Sequence, residues 1–257
     1  MKVVLLAGGL GTRLREETEY IPKPMVEIGG KPIIYHIMKT FLHFGFNEFI
    51  IATGYKSNII KEYFSNYEFI NYDFSLQISN NKNRKVLIQS PSYRELKVDI
   101  IDTGLKTMTG GRIFRLKELL GNDDFLCTYG DGLSNVNINN LVNFHKKHKK
   151  VATVTAVKPL SRFGLLDIND DGEVLYFSEK PRMSQWVNGG FFVFKKEIFN
   201  YLNEDSILEH APLASLASDS QLMAFKHDGF WQPMDTYREY EELNRLWDSP
   251  SPPWIHQ

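Results

Sequence analysis

The run LLAGGLGTRL places Gly8, Gly9 and Gly11 directly behind a short apolar stretch, followed by Thr12, Arg13 and, further on, Lys23. Absent side chains let backbone N–H groups close on a polyphosphate, and the two cations offset its charge. A dinucleotide-binding turn would open a helix and be followed roughly 20 residues on by a carboxylate, and a Walker loop would end in Gly-Lys-Ser/Thr; neither pattern is present. An ordinary strand-to-helix turn competes for the glycines alone, and the Thr-Arg suffix favours phosphate.

Lys23 stands between Pro22 and Pro24, whose fixed backbone would aim the amine; taken alone it reads as a solvated loop lysine. Asp131, in TYGDG, follows an apolar run and should project from the carboxyl edge of a sheet, where open α/β folds bind ligands. Magnesium on phosphates takes one or two protein carboxylates, so a second is expected, and Asp235 in GFWQPMDT is the candidate. An aspartate just before a helix is more often its N-cap. Glu179 and Lys180 in SEKPR, with Asn188 and Gly189 in WVNGGF, suit sugar hydroxyls and a phosphate, or equally a surface turn. The seven histidines show no zinc spacing.

These residues need a frame. Residues 3–7 read as a buried strand, 32–44 as a helix with Ile33, Ile34, Ile37, Met38, Phe41 and Leu42 on one face, 48–52 as a strand and 57–64 as a helix. Pro32 suits a first turn and Gly45 a stop. The alternation predicts a Rossmann-like α/β fold, with a mostly parallel central sheet flanked by helices and small β insertions. Between 65 and 109 the pattern weakens into short strands at 74–78, 86–88 and 98–101 with long loops. A helix is expected over 111–120, with Ile113, Leu116 and Leu120 aligned. Strands are expected at 125–129, 151–157 and 190–194, a helical stretch at 139–149, and a hairpin turning at Asp171 and Gly172. The last helix spans 237–247, with Tyr240, Leu243 and Trp247 on one side. No linker or repeat forces a boundary, so residues 1–257 are expected to form one domain.

Thirty basic and thirty-one acidic residues among 257 leave a net charge of −1, which offers no general attraction for nucleic acid or anionic lipid. No apolar run is long enough to span a membrane, and the N-terminal stretch is too brief for a secretory signal. The single cysteine, Cys127, reads as a buried strand residue and suits a reducing cytoplasm.

Together the LAGGLGTRL loop, Lys23-Pro24, Gly130-Asp131, Glu179-Lys180-Pro181, Asn188-Gly189 and Asp235 resemble the sugar nucleotidyltransferase family, in the same order and over essentially the whole chain. The segments MVEIGGKPIIYHIMK, VDIIDTGLKTMTGGRI and FWQPMDT look most like members that transfer a cytidylyl group from CTP to glucose 1-phosphate. Thymidylyl- or uridylyltransferases and a catalytically silent sensor are the alternatives. The resemblance implies that Leu6, Ala7, Gly8, Gly9, Leu10, Gly11, Thr12 and Arg13 hold the nucleotide, with Lys23 on a phosphate and Gly130 alongside. Thr103, Gly104, Thr107, Gly110 and Arg112 would lie near the base and triphosphate. Asp131 and Asp235 would hold Mg2+, and Tyr129, Glu179, Lys180, Asn188 and Gly189 would face the sugar phosphate. Arg13, Lys23 and Asp131 would carry catalysis, in a homo-oligomer of three or six copies. One departure stands out: relatives tend to read Lys-Pro-Lys-Pro where this chain has Ile21, Pro22, Lys23 and Pro24.

Overall fold

Val3, Leu5 and Ala7 face one side of a central sheet and Val4 and Leu6 the other, all five buried, which is why this strand reads as unbroken apolar sequence. The computed structural model describes residues 1–78, 83–87 and 95–256. Its main sheet has seven strands: β1 (Val3–Ala7), β2 (Glu48–Thr53), β3 (Lys97–Asp102), β4 (Phe125–Tyr129), β5 (Ala152–Val157), β6 (Val187–Phe194) and β7 (Leu222–His227). They lie in the order β7-β5-β6-β4-β1-β2-β3, and only β6 runs against its neighbours. The mostly parallel α/β architecture is therefore as expected.

One face is covered by α1 (Ile33–His43), whose Ile33, Ile34, Ile37, Met38 and Phe41 are buried as the spacing requires. Helix α2 (Ser57–Ser65) and the C-terminal helix pack on the same core. Gly45, at φ +85°, lies just beyond the end of α1, where a side chain would be strained. The other face carries α3 (Thr109–Arg115) and the apolar side of α5, below.

The expected helix over 111–120 is two pieces, α3 and a turn at Lys117–Leu120, broken at Leu116. Ile113, Leu116 and Leu120 are nonetheless all buried, because the break keeps the same side turned to the core. Helix α4 (Ile138–His148) begins on an Asn137 cap that accepts from Asn140 N–H. Helix α5 (Ala211–Ser218) and edge strand β7 were not foreseen: α5 lacks a clear polar face, and β7 is only half-buried. Helix α6 (Tyr237–Trp247) closes the fold, with Leu243 buried.

The weak region contains a helical turn at Tyr67–Asn71 and a hairpin pairing Phe74–Gln77 with Arg84–Leu87. The expected strand at 86–88 extends at Ile88 beyond the described residues. A second hairpin, Leu165–Ile168 with Val174–Ser178, turns through Gly172 at φ +84° as read from sequence.

Candidate active site

Strands β1 and β4 are adjacent and parallel, so their carboxyl ends bring the glycine loop and the Gly130-Asp131 segment to one edge of the sheet. Gly130 N–H donates to the Leu6 carbonyl (3.0 Å) and fixes that junction. The segment before α6 arrives at the same edge through a two-stranded ribbon, Gly132–Ser134 paired with Trp231–Pro233. Met234 N–H then donates to the Asp131 carbonyl at 2.8 Å. Asp131 and Asp235 are thereby neighbours, although the chain between them crosses half the sheet.

Both carboxylates converge on Lys23. Its Nζ lies 2.6 Å from Asp131 Oδ2 and 2.7 Å from Asp235 Oδ1. The lysine rides on a 3-10 turn, Lys23–Met25, entered through Pro22, and the residue is only 8% exposed. Burial works against its charge, but Asp131 and the hydrogen bonds to both aspartates override it and raise its pKa above the ordinary lysine value. For Asp235 burial likewise opposes charge, yet the hydrogen bond and charge of Lys23, then Arg13 and Arg162, hold it below the ordinary value.

Arg13 Nη1 reaches the other oxygen of Asp235 at 2.9 Å from a largely exposed position. Asp235 does not cap α6. Thr236 is the N-cap, in a capping box with Glu239, whose Oε2 accepts the N–H groups of Asp235 (2.8 Å) and Thr236 (2.9 Å). The competing cap reading for Asp235 is thus replaced by a carboxylate free to face the cleft. Arg162 completes the group, 2.8 Å from Glu239 Oε1 and 3.9 Å from Asp235 Oδ2.

The cleft beside these charges has a volume of about 880 Å³, within the usual range for small-molecule sites. Residues 6–13 line it, with Lys23, Thr107, Arg112, Tyr129, Gly130, Asp131, Asn188, Gly189 and Asp235. Thr103, Gly104, Gly110, Glu179 and Lys180 are not among its lining residues. Thr103 is buried, and its hydroxyl donates to the Thr53 carbonyl (2.7 Å). Gly110 lies against Ser206, which a Cβ would meet at 2.7 Å. Glu179 and Lys180 pair with each other at 3.1 Å, next to the second hairpin.

Arg112 lines the floor and holds it together. Nη2 donates to the Gly8 carbonyl (2.8 Å), and Nη1 reaches the carbonyls of Thr53 (2.8 Å) and Gly104 (2.9 Å) and the Thr103 hydroxyl (2.7 Å). A Cβ on Gly8 would lie 2.1 Å from its Cζ, so the glycine makes room for the guanidinium. Burial lowers the pKa of Arg112 from the ordinary arginine value.

On the opposite wall, Tyr129 donates to Glu209 Oε1 (2.5 Å), Thr109 donates to Glu209 Oε2 (2.6 Å), and Asn188 Nδ2 donates to the Tyr129 oxygen (3.2 Å). Burial, then the charge of Glu209, pushes the Tyr129 phenol well up. Gly190, at φ +86°, is obligatory here: a Cβ would meet the Tyr129 ring at 2.5 Å. Trp231 Nε1 donates to the Gly189 carbonyl (2.7 Å). Glu209 and Arg162 stand alone in unremarkable segments and were not singled out in the sequence, and Thr109 and Trp231 were read only as part of longer motifs, with no role of their own.

Two carboxylates that already share one cation are a fitting donor set for a phosphate-bound divalent ion, whose other ligands come from phosphate and water. Among the described residues no group of three or more His, Cys, Asp or Glu side chains could hold a metal, so the remaining ligands must come from elsewhere.

A glycine loop beside two cations that are ion-paired to a pair of aspartates, lining a cleft at the carboxyl edge of a parallel sheet, is the apparatus of phosphoryl-group chemistry on nucleotides. The chain belongs to the nucleotidyl transferase family, whose model matches residues 2–246. It is 47% identical to the glucose-1-phosphate cytidylyltransferase of Salmonella typhimurium, over 99% of this chain and 98% of that protein. It is 27% identical to a mannose-1-phosphate guanylyltransferase catalytic subunit beta of Xenopus tropicalis, over 100% of this chain and 68% of that one. Among solved structures, HddC from Yersinia pseudotuberculosis superposes with a TM-score of 0.70 at 24% identity, covering 96% and 99% of the two chains, which speaks to the fold.

Proposed function

We propose that this chain transfers the cytidylyl group of CTP to α-D-glucose 1-phosphate, giving CDP-glucose and pyrophosphate. The convergence of Asp131, Asp235, Lys23 and Arg13 at the cleft carries the reaction class. The choice of base and sugar follows the 47% identity, along nearly both full lengths, to a cytidylyltransferase acting on glucose 1-phosphate.

In this reading a phosphate oxygen of glucose 1-phosphate attacks the α-phosphorus of CTP in line. The bond from that phosphorus to the β-phosphate oxygen breaks, and pyrophosphate leaves with the electron pair. The nucleophile is already anionic at neutral pH, so no general base is required and catalysis rests on alignment and charge neutralisation. Residues 6–13 offer backbone amides to the triphosphate, while Arg13 and Lys23 balance charge on the α-phosphate and departing pyrophosphate. Mg2+ held by Asp131 and Asp235 would supply further neutralisation across the reacting phosphates. Tyr129, Asn188 and Gly189 face the sugar from the opposite wall. Glu179 and Lys180 lie outside this cleft beside the hairpin, while Thr103 and Gly104 support its floor through their bonds to Arg112 and Gly110 packs behind it against Ser206.

Pyrophosphate release with CTP, UTP, dTTP, GTP and ATP, each against glucose 1-phosphate, tests this directly. CTP should exceed every other nucleotide by at least about tenfold. Equal or greater turnover with UTP or dTTP would reassign the base, and no release with any of them would leave the silent-sensor alternative.

The protein is further proposed to work in the cytoplasm as a homo-oligomer, a trimer or hexamer. The lone cysteine is buried, and no helix among the described residues is long and apolar enough to cross a membrane. The hairpin Leu165–Ser178 and the loop before it expose Phe163 (76%), Leu166 (55%), Leu175 (60%) and Phe177 (59%), an apolar surface of the kind that marks protein interfaces.

A further inference from the structure

Among the described residues lining the cleft, Glu209 is the carboxylate beside Tyr129 and Asn188, and both of its oxygens are engaged by hydroxyl donors, Tyr129 at 2.5 Å and Thr109 at 2.6 Å. An ionised carboxylate can only accept. Tyr129 has a single hydroxyl proton, and giving it to Glu209 leaves the phenol oxygen as an acceptor towards everything else. Asn188 must therefore present its amide nitrogen, not its oxygen, to that phenol, as it does at 3.2 Å. The Asn188 oxygen is turned the other way, accepting Gly190 N–H at 2.9 Å. The direction of every hydrogen bond in the row is thus set from its two ends, by the charge on Glu209 and by the Gly190 N–H.

From this geometry we infer that Glu209 is a positioning residue for the sugar phosphate. Through Tyr129, and together with the Gly190 N–H on the Asn188 oxygen, it holds the Asn188 amide in one orientation and in place on the cleft wall. Of the contacts among the described residues, one N–H of Asn188 is left over as a donor in the cleft for a hexose hydroxyl oxygen. The fixing is firm because the Tyr129 ring is pinned by Gly190 and the Thr109 oxygen is itself held by Leu208 N–H at 3.0 Å. An amide at position 209 could donate as well as accept, so the polarity of the row would no longer be enforced from that end, although most of it could persist. The inference rests on the sugar phosphate binding beside Asn188, as proposed above.

The test is a steady-state comparison of Glu209→Ala, Glu209→Gln, Tyr129→Phe and the double variant Glu209→Ala/Tyr129→Phe, with KM measured separately for glucose 1-phosphate and CTP, and melting temperature recorded alongside. Glu209→Ala and Tyr129→Phe should each raise KM for glucose 1-phosphate by about tenfold, the worth of one well-placed hydrogen bond, and leave KM for CTP within about twofold. Glu209→Gln should restore part of the loss, and the double variant should be no worse than either single one, because both act through the same amide. A KM for glucose 1-phosphate that stays within twofold in all of them overturns the inference. So does a parallel rise in both KM values with a fall in melting temperature and no rescue by glutamine, which is the mark of a purely structural link. Should Glu209→Ala not fold, Glu209→Gln and Tyr129→Phe preserve volume and decide the matter. If the wild-type protein uses CTP with a different sugar phosphate, the substrate reading fails; repeating the KM comparison with that sugar phosphate then supports or overturns the role of Glu209.

Discussion

Asp131 and Asp235 are joined twice, by the hydrogen bond from Met234 N–H to the Asp131 carbonyl and by a single ammonium, Lys23 Nζ, that touches one oxygen of each carboxylate. The pair is therefore held at cation-sharing distance by backbone as well as by charge. Asp131 and Asp235 would be the residues to hold a divalent ion, so Lys23 and the metal would compete for the same carboxylates.

Replacing that ammonium should separate two effects. Lys23→Met is expected to lower kcat/KM by roughly 10²–10³-fold, as the loss of one preorganised charge-stabilising group does. In the absence of nucleotide it should bind Mn2+ more tightly than the wild type, because no resident cation competes for the pair. Electron paramagnetic resonance of free Mn2+ reads the second effect, and equal affinities in the two proteins would show that lysine and metal do not share the position.

Arg112 satisfies acceptors from the ends of three strands with one buried guanidinium. Arg112→Met should cost about 1–3 kcal/mol in urea unfolding, since the Gly104 carbonyl loses its guanidinium donor inside the protein while those of Gly8 and Thr53 each lose one of several. Nucleotide binding should weaken with it. An unchanged unfolding midpoint would mean that water replaces the guanidinium without penalty.

His145 is fully buried, with Nδ1 against the Thr153 hydroxyl at 2.8 Å and Asp124 3.9 Å from Nε2. Burial, then the charges of His148 and Lys195, pushes its pKa down to about 4. A base whose pKa is depressed by folding is neutral in the native state and protonates more readily when unfolded. Stability is thus fully present above the unfolded value of 6.5 and is lost as pH falls towards 4, by about 3 kcal/mol. Asp124, whose pKa burial raises, offsets part of this loss at the acid end. His145→Gln should flatten the fall in unfolding free energy between pH 6.5 and 4, and an unaltered pH profile would place the sensitivity elsewhere.

The exposed hairpin gives a prediction about assembly. Phe177→Lys should shift the protein to smaller species in light scattering while leaving the fold intact, because Phe177 is 59% exposed and a lysine there meets solvent in the single chain. An unchanged molar mass would move the interface to another face.

Much of the catalytic edge could be read from residue order. Glycines behind an apolar strand, and an aspartate behind another, are local signals, and parallel pairing of β1 with β4 turns them into one site. Asp235 was harder, since an aspartate before a helix has an ordinary use. The decisive clue lay one residue on: Thr236 with Glu239 three positions later is a capping box, which relieves Asp235 of that duty. Glu209 and Arg162 left no comparable trace, because their meaning arises only when β4, β6 and α6 bring distant segments together. Strand β7 was hidden for another reason: an edge strand half-covered by α4 and α5 alternates too weakly to show a period.

Glu239 has a consequence for control. One of its oxygens fastens the peptide that carries Asp235, and the other grips Arg162, next to the apolar Phe163. Contacts made at that exposed loop would bear on the same glutamate that holds the Asp235 peptide, so in the proposed oligomer, assembly and turnover should rise and fall together.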